Sequence, residues 1–243
     1  MTKSATTPAV DELESAEALY LALGRIVEAG DASTHGHCER LACYATALGT
    51  RCDLEGEDLV ALRRGAFLHD IGKIAIPDHV LLKPSPLTRR EYALIKTHPV
   101  VGDEMVRAFR SLEAVRGIVR HHHERLDGLG YPDGLKGDQI PLLAQIVTIV
   151  DVYDALTTNR PYRKAMSSAA AFSMMRAEAR DGAYSTELVE QFTRLITSHA
   201  LPRVLRSLAP IIPDRIARLA LLRKPTAEKV VQAFRPANAR GHP

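Results

Sequence analysis

Apolar residues recur along this chain three and four positions apart, the spacing of a helix face, and almost nowhere alternate as in a strand. From Val10 to Ala29 one face collects Leu13, Ala16, Leu19 or Tyr20, Leu23 and Ile26 or Val27, which predicts a first helix. The same periodicity predicts helices over about Thr34–Leu48, Glu57–Leu68, Pro99–Phe109, Leu112–His122, Leu142–Leu156, Ser167–Ala179 and Thr186–Ser198. Thr88 followed by Glu91 forms a capping box that starts a further helix, each side chain able to satisfy the other's backbone amide. Two Gly/Pro-rich segments, Ile71–Leu87 and Glu124–Pro141, break the pattern, and loops of that length inside a compact domain are usually functional. The strongest strand signal is Ile74–Ile76, and no internal repeat is visible.

Composition points the same way. Hydrophobic residues make up 46%, much of it Ala, Leu and Val, while aromatics are 5% with no Trp, a mix that favours helices. The expected fold class is therefore all-α, a helical bundle with long Gly/Pro-rich active-site loops. A balance of 32 basic against 29 acidic residues does not suit a general nucleic-acid binder, so no DNA or RNA partner is expected. Basic residues gather only after Ala200, where Arg203, Arg206, Arg215, Arg218, Arg223, Lys224, Lys229, Arg235 and Arg240 are opposed by Asp214 and Glu228 alone. That tail reads as one or two short amphipathic helices docked on the same domain, the alternative being contact with an acidic partner or a membrane surface. Cys38, Cys43 and Cys52 form no CxxC pair and read as reduced thiols. The N-terminus carries acids where a signal peptide needs a basic start, and no apolar run approaches the ~18 residues of a spanning helix. A soluble, cytoplasmic protein without a transmembrane segment is expected.

The histidines change the picture from fold to chemistry. Most of the ten fall at the ends of helix-like runs, beside loops. In GAFLHDIGK, His69 and Asp70 follow an apolar stretch and Gly72 lets the backbone turn. One imidazole and one carboxylate on adjacent residues suit a borderline or hard divalent ion, and Lys73, one turn on, adds a cation able to neutralise a phosphate oxygen. A lone HD pair more often closes a surface helix, so its weight comes from the company it keeps. His98 stands before Pro99 at a helix boundary. In IVRHHHERLDGLGYPDGLKGDQIP, adjacent helical residues point about 100° apart, so His121, His122 and His123 cannot all serve one ion. Two of them can, and periodicity leaves open which two. Asp151 closes the apolar run of LLAQIVTIVD, where a carboxylate is costly to bury unless paired or metal-bound. Asp154, one turn on, is either a second ligand or the partner of a base such as Arg160. His35 and His37 compete for one inward position, and the apolar face of Leu41, Tyr44 and Leu48 selects His37.

Together His37, His69, Asp70, His98, two of His121–His123 and Asp151 are too many ligands for one ion. They suit two ions sharing a bridging carboxylate, and two metals about 3.5–4 Å apart clamp both oxygens of an in-line phosphoryl displacement. No Ser/His/Asp arrangement or Walker loop competes; a redox role for such a site is the remaining alternative.

HDIGK, HHERLDGLGYPDGLKGDQIP and DVYDALTTNRPYRKA resemble the HD-GYP domain, a bacterial branch of the HD metal-dependent phosphohydrolases, from about Asp31 to about Phe192. The resemblance implies an HD-type helical bundle that hydrolyses cyclic di-GMP to linear pGpG and onward to GMP, by attack of a metal-activated hydroxide on phosphorus. It assigns His37, His69, Asp70, His98, His122, His123 and Asp151 to two divalent ions, iron or manganese, with Asp70 bridging and His121 the extra histidine. It makes Asp70 and Lys73 catalytic, sets Arg160 and Arg163 on the phosphates, and adds Arg125 and the signature Gly130, Tyr131 and Pro132 to the substrate side. Tyr131 either stacks on guanine or anchors its loop to the core. Ser33 stands where some members carry a Glu for a third metal, which is why two ions are expected here; Leu126, Tyr184 and Ser185 also depart from the family pattern. The implied organisation is an N-terminal helix over 1–30, the catalytic domain over 31–199 and a basic extension over 200–243. The alternatives are a non-catalytic cyclic di-GMP receptor, a module that docks GGDEF-domain proteins, or a phosphodiesterase for another cyclic dinucleotide. A homodimer is a further assembly the resemblance allows.

Overall fold

The computed structural model describes residues 10–29, 36–159 and 163–208, and among them every regular element is helical. In chain order these are α1 (Val10–Ala29), α2 (His37–Arg51), α3 (Gly56–Leu68), α4 (Asp78–Leu81), α5 (Arg89–Ile95), α6 (His98–Arg107), α7 (Glu113–His121), α8 (Leu142–Thr157), α9 (Ser168–Arg180), α10 (Thr186–Thr197) and α11 (Leu201–Ser207). Short 3-10 turns occupy Ile71–Ala75, Arg110–Leu112 and Gly137–Gln139. No helix among the described residues is long and apolar enough to cross a membrane.

α2 is the axis of the bundle. It packs on α3, α8, α10 and α11, and nearly all of it from His37 to Gly49 is buried. A helix covered on several sides needs small residues where neighbours come closest, which Ala42, Ala45, Ala47 and Gly49 supply. α3 lies between α2, α7 and α1, and α1 adds Tyr20 and Leu21 to the core. An aromatic cluster ties the far side together: Tyr153 of α8 stacks on Phe172 of α9 at 4.8 Å and meets Phe192 of α10 edge-on at 5.1 Å. Tyr44 of α2 reaches the same Phe192 ring at 5.7 Å.

Local signals set most helix ends as expected. The Thr88–Glu91 capping box is present, with Thr88 N–H donating to Glu91 at 2.7 Å. Ser167 and Ser185 cap α9 and α10 through their hydroxyls. The strand signal at Ile74–Ile76 is not realised. Ile71–Ala75 winds as a 3-10 turn instead, leaving Ile74 61% exposed while Ile76 is buried, and no strand among the described residues lies beside it to pair with. The segment read as one loop from Ile71 to Leu87 thus carries that turn and α4, and α11 was not expected as a separate helix. The start placed near Thr34 and the amphipathic tail beyond Leu208 lie outside the described residues.

Because Phe192 joins three helices through one ring, Phe192→Ala is expected to cost about 3–5 kcal/mol. Urea unfolding followed by circular dichroism measures it; a loss under about 1 kcal/mol would mean that the cluster closes over the cavity.

Candidate metal centre

The centre forms where helix ends meet. His69 and Asp70 leave the end of α3, His98 opens α6, His122 caps α7, and His37 opens α2. Gly72 makes one of these meetings possible. A Cβ there would stand 2.0 Å from the His98 carbonyl oxygen and 2.6 Å from the Gly102 nitrogen, so only glycine lets the HD turn press against α6.

Backbone carbonyls then fix three imidazoles. His69 Nδ1 donates to Ala66 O at 3.0 Å, His98 Nδ1 to Ile95 O at 2.7 Å and His122 Nδ1 to Val119 O at 2.9 Å. A carbonyl can only accept, so each ring keeps a proton on Nδ1 and turns Nε2 inward. His37 Nδ1 is held instead by Asp154 Oδ2 at 2.8 Å, and Asp154 also takes Nε and Nη2 of Arg40 at 2.5 and 2.9 Å.

The inward atoms crowd one another. His98 Nε2 and His122 Nε2 are 3.3 Å apart, both within reach of Asp70 Oδ1 at 3.2 and 3.9 Å. His69 Nε2 lies 3.2 Å from Asp70 Oδ2. Two sets of ligand atoms result, Asp70 with His98, His122 and His123, and Asp70 with His37 and His69, each mutually within 4.8 Å. Asp70 belongs to both. Asp151 Oδ1 adjoins the second set, 3.5 Å from His37 Nε2. Facing lone pairs repel unless a proton or cation lies between them, and His69 Nε2 and Asp70 Oδ1 are buried without a hydrogen-bond partner. The donor set fits divalent metal: nitrogen and carboxylate oxygen, with no sulfur.

The electrostatics agree. Burial works against charge on Asp70, but His69 and Lys73 overcome it and hold the carboxyl well below its usual range. Burial likewise opposes charge on His69, yet the Asp70 carboxylate lifts it to about 9. His122 and His123 go the other way. Burial, reinforced by neighbouring imidazoles, holds His122 far down and His123 at about 3, so both remain neutral donors. Asp70 and Lys73 retain 20% and 29% side-chain exposure, so the shared carboxylate is reached from solvent.

The HD domain family matches residues 22–188 of this chain. The chain belongs to the HD domain family. HD domain phosphohydrolases are metal-dependent, and Gly130, Tyr131 and Pro132 carry the signature of the HD-GYP branch. Among curated relatives, the cyclic di-GMP phosphodiesterase response regulator RpfG of Xanthomonas campestris is 41% identical over 70% of this chain and 46% of its own. A 3'3'-cGAMP-specific phosphodiesterase of Vibrio cholerae is 36% identical over 65% of this chain and 35% of its own. The chain therefore spans less than half the length of these two relatives. An HDG"Y"P protein from Bdellovibrio bacteriovorus shares the fold, with a TM-score of 0.58 at 21% identity over 76% of this chain and 64% of that one.

In this HD domain the signature loop is tied to the histidine cluster by Glu124, which sequence reasoning passed over. Only 2% exposed, Glu124 accepts the backbone N–H groups of Asp133, Gly134 and Leu135 at 2.7, 3.0 and 3.1 Å. Gly130 sits against that anchor, since a Cβ would fall 2.4 Å from Arg125 N. Tyr131 precedes a cis proline and stacks on His123 at 4.8 Å, which makes it a wall of the centre. Arg125 is paired with Asp127 at 2.6 Å, and Arg163 donates to the Ala155 carbonyl at the end of α8. Arg160 lies outside the described residues. His121 stays off the centre, 3.5 Å from Asp133. Asp154 and Arg40 orient His37, a role that the one-turn spacing after Asp151 could have suggested.

Asp154→Asn keeps the shape but weakens the acceptor on His37, and metal affinity is expected to fall about 10–100-fold; competition against a chelator measures it. Proton linkage gives a second check. Since His69 is lifted to about 9, the metal-free centre carries a proton there below that pH, and cation uptake displaces it. Affinity should strengthen as pH rises toward about 9 and level off above. Calorimetry in buffers of differing ionisation enthalpy at neutral pH should find about one proton released, and no buffer dependence would contradict this.

Proposed function

We propose that this chain is a metal-dependent phosphodiesterase that opens cyclic di-GMP to linear pGpG, with GMP as a further product. The single observation that carries it is the sharing of Asp70 between two donor sets, which suits two divalent ions, iron or manganese, held by His37, His69, Asp70, His98, His122 and His123 with Asp151 alongside. When bound, such a pair supplies Lewis acidity at phosphorus and a water acidic enough to act as nucleophile near neutral pH. The chain's own residues do the rest. Lys73 Nζ, 2.6 Å from Asp70 Oδ2, brings an ammonium to the edge where the scissile phosphate would lie and offsets its charge. Tyr131 closes one side of the centre, and the Glu124 anchor holds the loop of Gly130, Tyr131 and Pro132 against it. Arg125, Arg160 and Arg163 are the guanidiniums proposed for the substrate side. The loop tip, where Leu129 is 78% exposed, is the surface proposed to meet a GGDEF-domain protein.

A second substrate is favoured by one observation, the 36% identity to a relative named as 3'3'-cGAMP-specific. Manganese- or iron-loaded protein is therefore to be incubated with each cyclic dinucleotide and the products separated by chromatography. Conversion of cyclic di-GMP to pGpG is expected, with Asp70→Ala abolishing it; preferential loss of 3'3'-cGAMP would reassign the substrate. Tight binding without turnover under any metal would leave a receptor.

A further inference from the structure

Lys96 caps the end of α5, two residues before His98. Its ammonium lies over the ring of Tyr92, one turn back, at 5.3 Å, and over the ring of Tyr131 at 5.8 Å. Tyr131 in turn stacks on His123, so one ring joins Lys96 to the wall of the metal centre. The acid of α5, Glu91, is already claimed by Lys83 at 2.7 Å, and among the described residues no carboxylate forms a salt bridge with Lys96. Ring faces attract a cation without neutralising it. Lys96 is therefore a half-buried ammonium held over two rings, with no salt bridge among the described residues to compete with an incoming anion.

A cyclic dinucleotide carries two phosphodiesters, and only one can occupy the donor cluster at a time. Arg163, a candidate for the other, turns one nitrogen to the Ala155 carbonyl. We propose that Lys96 binds the phosphodiester that is not at the donor cluster, with Tyr92 and Tyr131 holding its ammonium in position. This rests on the cyclic-dinucleotide phosphodiesterase reading.

Lys96→Met and Lys96→Arg are compared with the unaltered, metal-loaded chain in two assays. Binding is measured with a hydrolysis-resistant phosphorothioate analogue of cyclic di-GMP, and steady-state turnover with cyclic di-GMP and with bis(p-nitrophenyl) phosphate, which has a single phosphodiester. Losing a charge-assisted contact should weaken analogue binding by Lys96→Met about 10- to 100-fold and raise KM accordingly. The change in kcat should be smaller, the loss on the small ester smaller still, and Lys96→Arg should recover most of the affinity. Equal binding by Lys96→Met, or equal losses on both substrates, would overturn the assignment. If the unaltered chain binds the analogue but hydrolyses nothing, the enzymatic reading fails while the binding comparison still decides Lys96. If it does not bind the analogue, both fail.

Discussion

An ionised carboxylate crowded by imidazole nitrogens is stable only where something positive joins them, and Asp70 is that carboxylate. Lys73 supplies one charge at its outer oxygen, while the inner oxygen lies 3.2 and 3.9 Å from the Nε2 atoms of His98 and His122. The fold gains nothing from such a cluster on its own. Burying unpartnered nitrogen and oxygen costs stability, and their convergence fits preorganisation for cations.

That preorganisation is built from helix ends. Carbonyls left unpaired near a helix terminus are natural acceptors, and those of Ala66, Ile95 and Val119 each take an imidazole Nδ1. The free nitrogens are thereby aimed by backbone that the hydrophobic core already holds rigid. Thr148 extends the same logic, its hydroxyl reaching the His122 carbonyl at 2.7 Å from α8. His37 is aimed instead by a side chain, Asp154, whose carboxylate is paired with Arg40 in a buried place.

The sequence was most legible where one face decides the matter. His37 could be chosen over its neighbour His35 because Leu41, Tyr44 and Leu48 mark the buried side of α2. The pair His122 and His123 was not separable from His121 by periodicity, since α7 ends within the triplet and the last residues leave helical spacing. Only the family resemblance chose between them. Glu124 and Lys96 escaped notice for a different reason. Their partners are backbone amides nine to eleven residues on and a tyrosine ring thirty-five residues away, contacts that only the folded loop creates. Ile74–Ile76 misled because alternation in three residues says little without a neighbouring strand.

Glu124 follows directly after His123, so a single dipeptide belongs at once to the candidate donor cluster and to the root of the signature loop. Donor cluster and loop are soldered together at that joint, and neither can drift without dragging the other. Change in such a cleft is thereby channelled to its outer margin, where side chains are free to vary while the cluster stays as it is.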